Sequence, residues 1–168
     1  KRDPLFKAIA LHPLPVIAAL NGKAFGAGAL IAAAADFRIA QPNAEFKVTA
    51  VNYGSANATW SLPRVVGLPM AKRILMTGRV VGSDEGLAIG LYDEVTTHDV
   101  VESALGLAKQ ICSKPAAGIA AIKSLCNASF SASLEAGWDA ENEHVFHQLE
   151  EGGLAGNQVF VSFLKNRD

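Results

Sequence analysis

Cysteine and charge are both scarce in this chain. Cys112 and Cys126 are the only two cysteines among 168 residues, and no Cys-x-x-Cys spacing occurs. This excludes a disulfide-stapled fold and disfavours a zinc site, so we expect two buried thiols in a reducing cytoplasm. Charged residues make up 18% of the chain, and 15 basic residues nearly balance 16 acidic ones. That balance lacks the basic footprint of a nucleic-acid-binding protein.

Long hydrophobic runs are also absent. Asn21 and Lys23 interrupt the most apolar stretch, which leaves no run of the roughly 18 residues that a membrane span needs. Half of the residues are nevertheless hydrophobic, enough for one domain with a sizeable core. The sequence begins Lys1-Arg2-Asp3-Pro4, with neither Met nor a signal peptide. We therefore expect that the N-terminal part of the protein lies outside this chain.

The rest of the chain is organised around the stretch from Pro15 to Asp36. An apolar run over 14–20 predicts a strand buried on both faces, and Asn21-Gly22 predicts a turn. A small-residue loop follows, and then an Ala-rich helix over 28–35. Glycines between a strand and a helix leave backbone N–H groups at the helix N-terminus. Such a site suits an anion or a developing oxyanion.

The remaining pattern predicts alternating strands and helices, and then helices alone. Short strands are expected over 36–40, 44–48 and 91–95. Helices are expected over 3–12, 70–76, 83–90, 100–112, 115–128, 133–149 and 154–164. Ser83 is predicted to cap its helix through its hydroxyl. The segment 51–60 fits no period, and its mixture of polar and aromatic residues is typical of a pocket wall.

Several motifs in order resemble the enoyl-CoA hydratase/isomerase (crotonase) superfamily. Pro15-Val16-Ile17-Ala18-Ala19-Leu20-Asn21-Gly22 is similar to that family's signature strand and turn. Gly26-Ala27-Gly28 follows at the place of its glycine loop, and Ala35-Asp36 ends the apolar helix. Further matches are Leu62-Pro63-Arg64-Val65-Val66-Gly67, Ala71-Lys72, Leu75-Met76-Thr77-Gly78-Arg79 and Ala88-Ile89-Gly90-Leu91-Tyr92-Asp93-Glu94-Val95. The resemblance covers nearly the whole chain.

The resemblance implies an α/β, crotonase-like (ClpP/crotonase) spiral of ββα units with a helical C-terminal region. The N-terminal part of that fold is expected to be missing from this chain. Residues 1–95 would form the C-terminal part of the spiral core, and residues 96–168 would form a helical trimerisation region. The family implies a homotrimer or hexamer, an acyl-CoA substrate and a role in fatty acid metabolism. It implies no cofactor other than the coenzyme A of the substrate, and no nucleic-acid or membrane partner.

The same resemblance assigns roles in the glycine loop and beyond it. It makes the Ala27 N–H one of two donors to the thioester oxygen, flanked by Gly26 and Gly28. The second donor would come from a loop upstream of Lys1. Hydratases of this family use two Glu residues, and their positions hold Leu30 and Ala50 here. A carboxylate contributes about 10²–10⁴-fold to each proton transfer, so hydration by the two-Glu mechanism is not expected.

Polar side chains after the second acid position are the alternative catalytic candidates. Asn52, Tyr53, Ser55 and Asn57 could each orient a water or a substrate group, or could satisfy the backbone of their own loop. The Tyr53 phenol could donate to an enolate. Trp60 is expected in a pocket wall or the core.

Lysine and histidine side chains near the C-terminal end of the chain form two further groups. Lys165 lies near where the family places cations for the phosphates of CoA. His144 and His147 share a helix face that is expected to meet solvent or another subunit, and no metal site is predicted.

Three functional hypotheses follow from these residues. The first is an enzyme that stabilises a thioester enolate for isomerisation, decarboxylation or hydrolysis. The second is a non-catalytic member that binds acyl-CoA or stabilises an oligomer. The third, weaker hypothesis is a hydratase by similarity alone, which the lack of both Glu residues disfavours.

Overall fold

A computed structural model describes residues 4–150, and for 149 and 150 only the backbone. The chain divides into two compact units, Lys1–Ile119 and Ala120–Asp168. The strands are β1 (Ile17–Leu20), β2 (Lys23–Phe25), β3 (Phe37–Ala40), β4 (Glu45–Lys47), β5 (Val81–Gly82) and β6 (Glu94–Val95). The helices are α1 (Leu5–Ala10), α2 (Ala27–Ala34), α3 (Leu62–Val66), α4 (Leu68–Thr77), α5 (Ser83–Ala88), α6 (Val100–Cys112), α7 (Ala116–Ser129) and α8 (Leu134–Glu150), with a 3₁₀ helix at Ala50–Tyr53.

The strands of the first unit form two small sheets. In one, the order is β1-β3-β6 and all neighbours are parallel, with Ile17 opposite Phe37. In the other, the order is β2-β4-β5, where β2 is parallel to β4 and β5 is antiparallel to it. Strand β2 was not predicted, because its three residues carry no periodic pattern and were assigned to the glycine loop. Its pairing with β4 fixes where that loop begins.

Helix α2 packs through small side chains into the core of the first unit. Ala29, Ala32 and Ala33 are buried in a cluster that also contains Phe46 and Ile74. Close packing of this kind is what an Ala-rich helix permits, because a backbone can approach it closely. Strand β1 is less covered than predicted. Ala19 is exposed, and within the described residues β1 has a partner on one side only.

Arg38 on β3 is a buried cation at the centre of this unit, with a relative exposure of 4%. Its Nε donates to the carbonyl oxygen of Leu91 at 2.7 Å, and its Nη1 donates to that of Ala35 at 2.7 Å. Burial lowers the pKa of Arg38, and the carboxylates of Asp93 and Asp36 oppose that shift. The side chain therefore ties the end of α2 to the segment before β6.

Several helix predictions agree closely with the structure, whereas the predicted Ser83 cap and the predicted strand over 91–95 do not. Helix α6 has the predicted bounds, and α7 and α8 lie within one residue of theirs. Ser83 does not cap α5. Its hydroxyl donates to the carbonyl oxygen of Pro42 at 2.7 Å, and Gly82 occupies the N-cap. The strand predicted over 91–95 is reduced to Glu94–Val95, because Leu91 and Tyr92 N–H groups donate to the Gly86 carbonyl.

Apolar side chains of the second unit are widely exposed. On α8, Leu134 is 95% exposed and Trp138 is 65% exposed. Cys112 and Cys126 are free thiols and exposed, so the prediction that they are buried is wrong. Helical spacing placed both cysteines on an apolar side, yet both are exposed, and Cys112 lines a cavity with Leu14, Pro15 and Ile17. The helix predicted over 154–164 lies outside the described residues.

Within 4–150, no helix is long and apolar enough to cross a membrane. The same part of the chain contains no group of three or more His, Cys, Asp or Glu side chains that could hold a metal ion.

Candidate functional site

The glycine loop leads directly from β2 into the start of α2. Gly26 has φ 54° and ψ −117°, a backbone conformation that residues with a Cβ atom rarely adopt. Its N–H donates to the Lys47 carbonyl oxygen at 3.1 Å, which continues the β2–β4 ladder into the loop. The first backbone bond of the helix runs from the Leu30 N–H to the Gly26 carbonyl, also at 3.1 Å.

Ala27 and Gly28 therefore occupy the first turn, where N–H groups have no intrahelical partner. Both residues are exposed. Among the described residues, no side chain caps this end of the helix. The arrangement leaves the Ala27 N–H available to an oxygen atom with partial negative charge, and the helix dipole favours that charge.

A cavity of about 800 Å³ lies beside this helix. We call it the Leu30 cavity. It is lined by Pro4, Phe6, Lys7, Leu11, Leu30, Asn57, Ala58, Trp60 and Ser61. Leu30 stands three residues after Ala27, so the two share one face of α2. Its side chain lies back over the first turn. Leu30 is the one described residue of α2 in the cavity wall, and Ala27 and Gly28 are not among the wall residues.

A second cavity of about 360 Å³ has Ala50 in its wall. We call it the Ala50 cavity. Its walls are Val48, Ala50, Val51, Ser55, Ala56, Asn57, Thr59, Pro63, Leu68, Ala71, Lys72, Leu75 and Met76. Ala50 is 7% exposed. None of the described residues that line either cavity is acidic. From the part of the chain that the structure describes, neither cavity therefore receives a carboxylate as a general acid or base.

Asn57 lines both cavities and so belongs to the wall between them. The next residue, Ala58, is buried and has φ 56°, the one positive φ outside glycine among the described residues. Its carbonyl oxygen accepts the Leu62 N–H at 2.9 Å, at the start of α3. Strain of this kind persists where the surroundings hold the backbone in place. An alanine in the sequence does not indicate such backbone strain.

The structure distributes the predicted site residues over separate places. Leu30, Asn57 and Trp60 meet in the larger cavity, and Ala50 and Ser55 meet Asn57 in the smaller one. Tyr53 is 79% exposed and lines neither. Its catalytic role stays a prediction.

Asn52 is not among the wall residues of either cavity, and Lys165 cannot be placed. Asn52 follows Ala50 in the 3₁₀ helix, and its Oδ1 would lie 3.2 Å from a Cβ placed on Gly78. Lys165 lies outside the described residues.

Sequence reasoning missed the contribution of α1. Phe6, Lys7 and Leu11 were interpreted as part of a helix end, yet all three line the Leu30 cavity. The apolar pattern of α1 could have indicated a wall, but not which cavity it closes. The wall joins α1 to residues that lie far from it in the sequence, such as Trp60, and only the folded chain reveals this contact.

Comparisons with known proteins agree with this architecture. A family model described as enoyl-CoA hydratase/isomerase matches residues 1–162. The chain is 37% identical over 134 residues to a probable enoyl-CoA hydratase of Mycobacterium avium, a match that covers 77% of this chain and 52% of that protein. A probable enoyl-CoA hydratase of Rhodobacter capsulatus is 37% identical over 138 residues, covering 80% and 54%. The chain spans about half the length of these relatives.

Solved structures give the same result. An enoyl-CoA hydratase from a Polaromonas species superposes with a TM-score of 0.83 at 30% identity, covering 96% of this chain and 64% of that one. A candidate enoyl-CoA hydratase of Thermobifida fusca, solved in complex with CoA, superposes with a TM-score of 0.81 at 25% identity, covering 87% and 58%.

Proposed function

Because this chain belongs to the enoyl-CoA hydratase/isomerase family, we propose that it binds an acyl-CoA thioester and stabilises an enolate-like oxyanion. The crotonase-like fold expected for that family is confirmed by a TM-score of 0.83 over 96% of the chain. The proposed reaction class is one that forms an enolate without two carboxylates, such as isomerisation, decarboxylation or hydrolysis. No cofactor is proposed beyond the coenzyme A of the substrate.

The observation that carries the proposal is the uncapped first turn of α2 beside the Leu30 cavity. Ala27 is exposed in this uncapped turn, and in the proposal its N–H donates to the thioester oxygen while the acyl group extends towards the cavity. A fixed donor in a low-dielectric site stabilises the developing charge without reorganising in the transition state. Loss of one such donor costs about 10²–10³-fold in rate in an enzyme that depends on it.

The side chains argue against ordinary hydration. Addition of water to an enoyl thioester needs a base for the water and an acid for the α-carbon. Leu30 and Ala50 can do neither, and no described wall residue of either cavity is acidic. Asn57, which reaches both cavities, can hold a water or a carbonyl group but has no proton to exchange near neutral pH. It is the proposed positioning residue.

The alternative function is a non-catalytic member that binds acyl-CoA or stabilises an oligomer. It draws support from α8, where Leu134, Trp138 and Val145 expose apolar surface. Contiguous exposed apolar surface often marks an interface. We propose a homotrimer or hexamer through the helical region, in the cytoplasm and serving fatty acid metabolism.

Ligand-induced stabilisation tests the binding proposal. Acetyl-CoA at 100 times its Kd should stabilise the full chain by about 2.7 kcal/mol. For a protein of this size that raises Tm by about 5–11 °C. Ala27→Pro removes only the Ala27 N–H, and proline remains acceptable at the first helical position. Acetyl-CoA should therefore raise the Tm of this variant less than that of the unaltered chain. Gly28→Ala, which keeps every N–H, is the matched control.

Two results would contradict the proposal. One is the absence of any Tm shift with both CoA and acetyl-CoA in an oligomeric sample. The other is an unchanged shift for acetyl-CoA in a folded Ala27→Pro variant, which would place the thioester oxygen elsewhere.

A further inference from the structure

The end of α4 lies directly against the 3₁₀ helix Ala50–Tyr53. Gly78 is the C-cap of α4, is buried, and has φ 60° and ψ 23°. A Cβ placed on Gly78 would lie 2.8 Å from the Val51 Cγ1 and 3.2 Å from the Asn52 Oδ1. A separation under 3.0 Å is one that Cβ atoms in proteins essentially never show. The contact between the two helices therefore requires a residue without a Cβ at position 78.

Val51 is the side of this contact that cannot adjust by a side-chain rotation. A valine carries two methyl groups on its Cβ and is restricted at χ1, so rotation exchanges one methyl group for the other. The Asn52 side chain, in contrast, ends in an amide that rotates easily. A methyl group on Gly78 would therefore displace the backbone at Val51 and not a side chain alone.

The 3₁₀ helix reaches the candidate site from both of its ends. Thr49 is its N-cap residue, and the Thr49 Oγ1 lies 3.7 Å from where a Cβ on Gly26 would stand, so the helix begins against the glycine loop. At the other end, the Ser55 N–H donates to the Ala50 carbonyl oxygen at 3.0 Å. Asn57 follows shortly after, in the wall between the two cavities. A displacement of this helix would thus reach the glycine loop and Asn57 together.

We propose that Gly78 is a positioning residue of the acyl-CoA site, which acts by letting the 3₁₀ helix close onto the end of α4. The proposal rests on the proposed function, because the groups that Gly78 positions are Asn57 and the glycine loop before the Ala27 N–H. Gly78 is not among the wall residues of either cavity. Its effect on a bound substrate is transmitted through Val51.

The same contact sets the width of the Ala50 cavity. Val51 lines that cavity from the 3₁₀ helix, and Leu75 and Met76 line it from the last turn of α4. Packed interiors do not absorb an added methyl group without a shift of their neighbours. A methyl group on Gly78 would therefore move these two walls apart.

Gly54 supplies a matched control for the backbone conformation of Gly78. It is the C-cap of the 3₁₀ helix and has nearly the same conformation, φ 66° and ψ 22°. A Cβ placed on Gly54 would meet nothing within 4 Å. Alanine carries the same conformational cost at either position, because both are left-handed. Any difference between Gly78→Ala and Gly54→Ala therefore measures the contact with the 3₁₀ helix.

Hydrogen exchange followed by mass spectrometry on the full chain tests the positioning without a ligand. The Asn52 N–H donates to the Thr49 carbonyl oxygen and the Ser55 N–H to that of Ala50, so peptides over 49–57 report whether the 3₁₀ helix is intact. They should exchange faster in Gly78→Ala than in Gly54→Ala. The Tm of Gly78→Ala should also be about 2–12 °C below that of Gly54→Ala.

Isothermal titration gives a readout that a merely structural role would not change. Acetyl-CoA should bind to Gly78→Ala at least about fivefold more weakly than to the unaltered chain, whereas the affinity for free CoA should change by less than about twofold. Gly54→Ala should leave both affinities within about twofold.

Val51→Ala removes the methyl group that the new Cβ would meet, so it isolates the contact. This variant should weaken acetyl-CoA more than free CoA, because the 3₁₀ helix loses its contact with α4. The double variant Gly78→Ala/Val51→Ala should then bind acetyl-CoA within about twofold of Val51→Ala alone. A further loss in the double variant as large as that caused by Gly78→Ala alone would overturn the transmission through Val51.

The outcomes separate this proposal from the proposed function. If no acyl-CoA binds to the unaltered chain, both proposals fail. Equal acetyl-CoA affinity in Gly78→Ala and Gly54→Ala makes Gly78 a structural residue only and leaves acyl-CoA binding intact. Faster exchange at the end of α4 without faster exchange over 49–57 also overturns the positioning role. If Gly78→Ala does not fold, Val51→Ala breaks the contact from the other side, and unchanged acetyl-CoA binding in that variant refutes the proposal.

Discussion

The backbone conformation of Gly26 orients the proposed oxyanion donor, the N–H of Ala27. A Cβ placed on it would lie 3.7 Å from the Thr49 Oγ1, so Gly26→Ala introduces no clash. Its φ of 54° is the obstacle, and an L-residue held in such a region costs about 1–3 kcal/mol. At Gly28 the same methyl would contact the Ala24 Cβ at 3.9 Å, and φ is not positive. Gly28→Ala should therefore be neutral or should stabilise by about 0.4–1 kcal/mol.

The two variants should thus differ in unfolding free energy by about 1–4 kcal/mol. Urea denaturation followed by far-UV circular dichroism measures this difference, and equal m-values would show that the same surface is exposed. Gly26→Ala should also weaken acetyl-CoA relative to free CoA, because relieving the strain rotates the Ala27 N–H. If Gly26→Ala proves as stable as Gly28→Ala, the positive φ is not what the loop requires, and the argument for a built oxyanion donor fails.

Three further predictions concern the scaffold. Arg38→Met removes the donors to the buried carbonyls of Leu91 and Ala35 and should cost at least about 3 kcal/mol; a loss below about 1 kcal/mol in urea denaturation would contradict this. Burial, and secondarily Glu45, raises the pKa of Tyr92 to about 12, above roughly 10 in the unfolded chain. The neutral phenol therefore makes its full contribution to the free energy of unfolding below pH about 10, and this contribution declines by up to about 2.7 kcal/mol as the pH rises to 12. Tyr92→Phe should remove that part of the alkaline destabilisation. If the pH dependence of unfolding is the same in Tyr92→Phe, the raised pKa of Tyr92 is refuted. Ala58→Gly relieves φ 56° and should stabilise by about 0.5–1 kcal/mol, measured as a higher urea midpoint; a lower midpoint would show that the Ala58 methyl contributes more than the strain costs.

Elements with a clear period could be predicted from sequence. Helix α6 has the predicted bounds because its apolar spacing and its neighbouring polar residues agree, and Asp99 caps it by accepting from the Val101 and Glu102 N–H groups. Strand β2 could not be predicted, since three residues are too few to show alternation and its stability comes from pairing with β4. The Ser83 cap was predicted wrongly because Gly82, not Ser83, occupies the N-cap of α5. Ser83 is already helical, and its hydroxyl donates to the Pro42 carbonyl oxygen.

The chemistry assigned to the site residues stays a prediction, and the shape of the site could not be predicted from the sequence. The resemblance located Leu30 and Ala50, and the structure places them in separate cavities with Asn57 in the wall between. The α1 contribution to the Leu30 cavity depends on long-range packing that no local pattern encodes. Burial of Cys112 was predicted wrongly, because helical spacing identifies an apolar face without showing what covers it.

The proposed function depends most on Leu30 and Ala50 standing in place of the two hydratase acids. Incubation of the protein with crotonyl-CoA, followed through the absorbance of the conjugated enoyl thioester, tests it directly. We predict binding without hydration, so the absorbance should decay no faster than in a sample without protein. Turnover near the enzyme median of about 10 s⁻¹ would contradict the claim and require a proton-transfer group other than the two positions identified.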